Sequence, residues 1–166
     1  MKIDQKYSHL NGEEYLIVHH KKLYNEIVSV IENIDASHFI TKESKEKTMK
    51  GQMLYSPVDI NNEFNKKFNA KNWNESRYKY YITTNPKLMN ELITLPYTKQ
   101  KNFLIKHGNN KPISSYKQTD FVKEKIAIEV QFGKYAFVAF DLFVKHLLFY
   151  SGGVINLGIE ILPTKK

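Results

Sequence analysis

The segment 120–132, Asp-Phe-Val-Lys-Glu-Lys-Ile-Ala-Ile-Glu-Val-Gln-Phe, constrains the fold more than any other part of the chain. Ile126, Ile128, Val130 and Phe132 alternate with Ala127, Glu129 and Gln131. Period-two alternation with β-branched residues predicts a strand. Its second face then carries a carboxylate and an amide two residues apart. Asp120 precedes Glu129 by nine residues, a spacing that lets a hairpin or bent strand bring the two carboxylates together. Two carboxylates at a sheet end make a hard, oxygen-rich site suited to Mg²⁺. Glu and Gln on the outer face of a half-exposed strand are also ordinary. This strand, however, reads as buried, because Gly133-Lys134-Tyr135 and then an apolar run follow it at once. Buried polar groups need partners, and a metal ion with its waters supplies them.

With 166 residues the chain can build one domain with a sizeable core, and it is too short for two comfortable ones. Its formal charge is +8, from 25 Lys and Arg against 17 Asp and Glu, which favours an anionic partner such as a phosphodiester. Arg77 is the single arginine. Lysine meets phosphates as a flexible point charge but matches guanine edges less well than an arginine fork. The absence of cysteine excludes disulfides, thiolate metal sites and a thiol nucleophile. The six histidines lack the clustered spacing that zinc favours. The N-terminus has no apolar signal core and no run is long enough to span a membrane, so a cytoplasmic protein is expected.

Along the chain, residues 1 to 20 are polar, with a turn at Asn11-Gly12, and apolar spacings of three and four predict a helix over about 20–33. Residues 41–50 carry four lysines, a solvated stretch in which Lys45, Lys47 and Lys50 could follow a nucleic-acid backbone. Met53 to Tyr55 predict a short strand stopped by Pro57. Ile60, Phe64 and Phe68 mark a helix that breaks near Asn69, with its N-cap in the Asp59–Glu63 stretch and Trp73 in the core. Tyr78 to Ile82 predict a strand, and Pro86 to Ile93 a short helix. A mixed stretch then runs to the turn at 108–112, and residues 74–112 read as ordinary scaffold whose tyrosine and lysine interleaving is like a nucleic-acid surface in composition only. The apolar run 137–149, with Asp141, Lys145 and His146 along one edge, predicts a buried helix packed on the sheet; the alternative is a dimerisation face. Residues 154–162 predict a further strand.

Asp120 followed by Glu129-Val130-Gln131 resembles the PD-(D/E)xK nuclease core in the variant where Gln replaces the final Lys. More closely, Asp120-Phe121 through Phe132, with Tyr135 shortly after, is similar to the BglII/BstYI-like type II restriction endonucleases. Met53-Leu54-Tyr55-Ser56-Pro57-Val58 and Lys71-Asn72-Trp73 resemble the segment those enzymes carry before their catalytic strands. The resemblance covers about residues 20–75 and 115–162. It implies an α/β (α+β) fold with a mixed central sheet flanked by helices, and a single domain over 1–166. Family members continue past the strand at 154–162, so the chain is expected to lack C-terminal elements that help read DNA.

The resemblance further implies a Mg²⁺-dependent enzyme that cuts double-stranded DNA at a short palindrome as a homodimer. Asp120 and Glu129 would hold the metal with a backbone carbonyl beside them, that of Val130. Gln131 has no accessible pKa, so it can orient a water but cannot serve as a general base. Gly133 and Lys134 form the turn that approaches DNA. A first-helix glutamate helps hold a metal-bound water in such enzymes, which makes Glu26 a candidate, although pairing with Lys22 explains it equally. The alternative to an enzyme is a non-catalytic DNA-binding or interaction protein on the same fold. Such a protein would keep its DNA binding when Glu129 is removed.

Overall fold

The computed structural model describes residues 1–164; Lys165 and Lys166, the end of the expected domain, lie outside the described residues. Its centre is a four-stranded sheet in the order β3 (Asn74–Ile82), β4 (Ile113–Lys123), β5 (Ile126–Val130) and β6 (Leu157–Ile161). The first two pairings are antiparallel and β5–β6 is parallel, so the sheet is mixed as expected. β4 and β5 form a hairpin through Glu124 and Lys125, both at positive φ. That is the backbone a two-residue turn needs to match strand twist. All five β5 residues are buried, because both faces of this central strand are covered.

One face carries the larger core. Here α1 (Gly12–His19), α2 (Lys21–Glu32) and α3 (Pro57–Asn69) bury Leu16, Leu23, Ile27, Ile60, Phe64 and Phe68 against Phe121, Ile126, Ile128 and Val130. Spacings of three and four put these side chains on one stripe per helix. Trp73 is fully buried, as its place after α3 predicts. Truncating Phe64 or Phe68 in such a core costs about 3–5 kcal/mol. The N-cap of α3 is Ser56, whose hydroxyl accepts from the Asp59 amide, and not the Asp59 stretch; Pro57 fixes the first turn one residue later. A two-stranded hairpin, β1 (Lys42–Glu43) with β2 (Met53–Leu54), leads into α3.

Three expectations are corrected. Residues 12–19, read as a polar lead-in, form α1, which buries only Leu16 and so leaves little apolar pattern. The mixed stretch after Pro96 contains α5 (Tyr97–Lys106), following α4 (Pro86–Thr94). Its buried face is Gln100 and Leu104, and Gln100 caps the sheet edge by accepting from Tyr81 N–H and donating to the Leu95 carbonyl. Residues 74–82 form the edge strand β3, paired to β4.

The third correction concerns the apolar run. It folds as a short α-turn, α6 (Val138–Phe140), a π-helical segment at Asp141–His146, and α7 (Leu147–Ser151). The expected buried helix is turned over: Phe137, Phe143, Leu147 and Tyr150 are exposed, Phe143 by 73%, while Asp141, His146 and Phe149 are buried. The wider π turn sets Asp141, Lys145 and His146 on one face. That face covers the Ala127–Glu129 side of β5, where charged side chains await partners, and this requirement outweighs burial of the phenylalanines.

Candidate active site

The β4–β5 hairpin brings Asp120 and Glu129 together. Phe121 pairs with Ile128, so Asp120 lies one step along β4 from that pair and Glu129 one step along β5. Asp120 Oδ2 accepts from the Val130 N–H at 3.2 Å. The β3–β4 register shifts between Asn74 paired to Val122 and Ser76 paired to Thr119. β4 thus holds one extra residue beside Asp120, a bulge that re-aims a side chain at a sheet position next to a site.

Glu129 is 2% exposed at its side chain. Burial pushes its carboxyl up to about 8, and the neighbouring Asp120 adds to the push against the opposing Lys145. Lys145 Nζ lies 2.8 Å from both Glu129 Oε1 and Asp141 Oδ1. Burial works against the Lys145 ammonium, but its contacts with Asp141 and Glu129 outweigh this and hold its pKa above the ordinary lysine value. Asp141 also accepts from Gln131 Nε2 at 2.9 Å, so one buried carboxylate orients both the amide and the ammonium. Beyond them His146 Nε2 meets Glu160 Oε1 at 2.9 Å, and β6 sets Glu160 in register with Glu129. Burial pushes the Glu160 carboxyl up, with His146 opposing it. His146 packs so closely on Gly158 that a side chain there would overlap its ring.

The donor set suits a hard divalent cation. Despite Lys145 beside it, buried Glu129 Oε1 receives no properly directed hydrogen bond. Two carboxylates are what Mg²⁺ takes from a protein when waters and phosphate oxygens complete its shell. Among the described residues no group of three or more His, Cys, Asp or Glu side chains forms a metal cage.

The turn after β5 carries Gly133 at φ +109°, with Pro57 of α3 so near that a Cβ would lie 2.9 Å from it. Glycine is needed here for both reasons. Exposed Lys134 lines a cleft of about 220 Å³ with Gln131, Phe137, Phe140, Asp141 and Lys145. Exposed Lys45, Lys47 and Lys50 lie in the β1–β2 loop, whose second strand ends three residues before Pro57.

Glu26 is a correction. It lies on α2, across the sheet from Glu129, and accepts from Trp73 Nε1 at 3.1 Å and Lys123 Nζ at 2.7 Å. Burial pushes its carboxyl up, yet these two donors outweigh the push and leave it below its usual value. Glu26 thus tethers α2 to β4 and is not brought to the Asp120–Glu129 pair; its strong partner is Lys123, not Lys22. Asp141 and Lys145 are the site neighbours that sequence reasoning did not assign. Their signal was three polar residues in an apolar run, spaced to share one face of a π turn.

The profile of the family described as Restriction endonuclease BglII/BglIII matches residues 5–166. The chain belongs to this restriction endonuclease family. Among curated proteins, none matched the chain. Membership in the BglII/BglIII family covers both the hairpin with its carboxylates and the helical layer beneath it. The α+β architecture with a mixed sheet agrees with it, and DNA is the substrate the family implies. Among the described residues no helix is long and apolar enough to cross a membrane.

Proposed function

We propose that this chain acts as a single catalytic domain in the cytoplasm, a Mg²⁺-dependent type II endonuclease that hydrolyses phosphodiester bonds of double-stranded DNA at a short palindrome. The observation that carries this reading is the convergence of Asp120 with buried Glu129, whose Oε1 lacks a directed donor. Asp120, Glu129 and the Val130 carbonyl would hold the ion. Bound there, Mg²⁺ supplies Lewis-acid chemistry, lowering the pKa of water and polarising a phosphoryl oxygen. Gln131, steadied by Asp141, orients the attacking water through its amide. It cannot take the proton, which would pass to a phosphate oxygen of the substrate. Lys134 and the Gly133 backbone contact the DNA strand at the cleft, and Lys45, Lys47 and Lys50 follow phosphates without reading bases.

A palindromic target calls for a two-fold partner, and a second copy of this chain supplies it. The exposed apolar side of residues 137–150 supports that pairing, since a patch with Phe143, Leu147 and Tyr150 in water is the kind that associates. The test is cleavage of mixed-sequence plasmid DNA with Mg²⁺ or Ca²⁺, comparing the wild type with Glu129→Ala. Discrete fragments with Mg²⁺ alone, lost in the variant, are expected. DNA binding that survives in the variant, with no cleavage by either protein, would instead identify a non-catalytic binding protein.

A further inference from the structure

We propose that Lys145 is a place-holding cation, whose ammonium occupies the Glu129 side of the site and must leave Glu129 before a divalent cation binds. The inference rests on the metal site proposed above and assigns a positioning role to a residue outside its ligand set. Two buried carboxylates, Glu129 and Asp141, share this one ammonium at 2.8 Å each. Leaving Asp141, or Glu129 in its ionised form, uncompensated in that setting is costly, so an internal cation substitutes for the ion when the site holds none. The two contacts differ in kind. Asp141 is also held by the Gln131 amide and lies one turn from Lys145 on the same helical segment, whereas Glu129 reaches the ammonium from β5.

A lysine stem pivoting about Asp141 keeps the contact within its own helical segment and breaks only the one to β5. It also has somewhere to go. Lys145 is 14% exposed at its side chain and lines the same cleft as Gln131 and Lys134. The four-carbon stem has the freedom to swing its head toward that opening. A divalent cation at Glu129 then repels the ammonium through the same short distance that now attracts it to the carboxylate.

Two measurements test this on the full chain with Ca²⁺ as the probe. In the first, lysine acetylation is followed residue by residue by mass spectrometry with and without Ca²⁺. Labelling of Lys145 should rise several-fold on Ca²⁺ addition, while that of Lys123, paired with Glu26, stays unchanged. In the second, calorimetric titration near pH 8.5 compares wild type, Lys145→Met and Glu129→Ala. Lys145→Met should bind Ca²⁺ about tenfold more tightly, because one cation has been removed from beside the ion. Ca²⁺ binding that depends on Glu129, with Lys145 labelling unchanged and no gain in the methionine variant, would overturn the place-holder role and leave the metal site standing. Binding that is absent, or indifferent to Glu129→Ala, would overturn the metal site and the place-holder together. Should Lys145→Met fail to fold, the wild-type labelling decides alone.

Discussion

Glu129 is fully buried and Glu26 largely so, each beside a lysine, yet their environments push them in opposite directions. Glu26 has two well-directed donors and stays ionised, so its contribution to stability is present above its ordinary value and is lost as pH falls through its lowered pKa. Glu129 is raised from 4.5 to about 8 by burial and by Asp120. The folded chain keeps a proton there that the unfolded chain releases, so its contribution is fully present below 4.5 and lost as pH rises through about 8. Urea unfolding of the metal-free protein should show stability falling across that window by up to about 1.4 kcal/mol per pH unit. Glu129→Gln should flatten the slope. Saturating Ca²⁺ should also remove it, since the ion binds the ionised form of the carboxylate. An unchanged slope in the glutamine variant would assign the titration to another group.

The elements differ in how openly they announced themselves. The β4–β5 hairpin was legible because its signals are local: alternation over Ile126–Phe132, and two carboxylates nine residues apart on either side of a short turn. α2 and α3 were legible from apolar stripes that the core does bury. α1 and α5 were hidden because each buries only one or two side chains, and Gln100 of α5 is a polar one. The run at 137–149 misled for a physical reason. Counting apolar residues predicts which side of a helix is dry only when nothing costlier needs covering, and here the row of Glu129 and Glu160 did. The turn of the hairpin carries its own expectation. Glu124 and Lys125 adopt φ of 48° and 65°, which side chains with a Cβ resist. Lys125→Gly should stabilise the chain by about 1 kcal/mol in urea unfolding. Ca²⁺ affinity should stay unchanged, because the turn lies at the end of the hairpin away from Asp120 and Glu129.

At the scale of the molecule, the sheet divides a closed face from an open one. The face under α1, α2 and α3 is a continuous apolar core, whereas the other bears the charged row, the π turn and, outermost, an exposed aromatic surface. Sedimentation of Phe143→Glu should give a monomer where the wild type gives a dimer, with secondary structure retained, because Phe143 is 73% exposed and supports no core contact. A wild type that sediments as a monomer at every concentration would remove the second copy from the reading. The arrangement of the hairpin and its covering helix also has a kinetic side. Asp120 and Glu129 meet across a two-residue turn, a contact that closes on the microsecond scale, while Lys145 arrives only when a later segment docks over β5. Topology thus predicts that negative charge gathers early in folding and that its internal compensation comes late. Refolding is therefore a competition between hairpin closure and carboxylate repulsion, one that dissolved divalent ions can tip from outside before the chain can do so for itself.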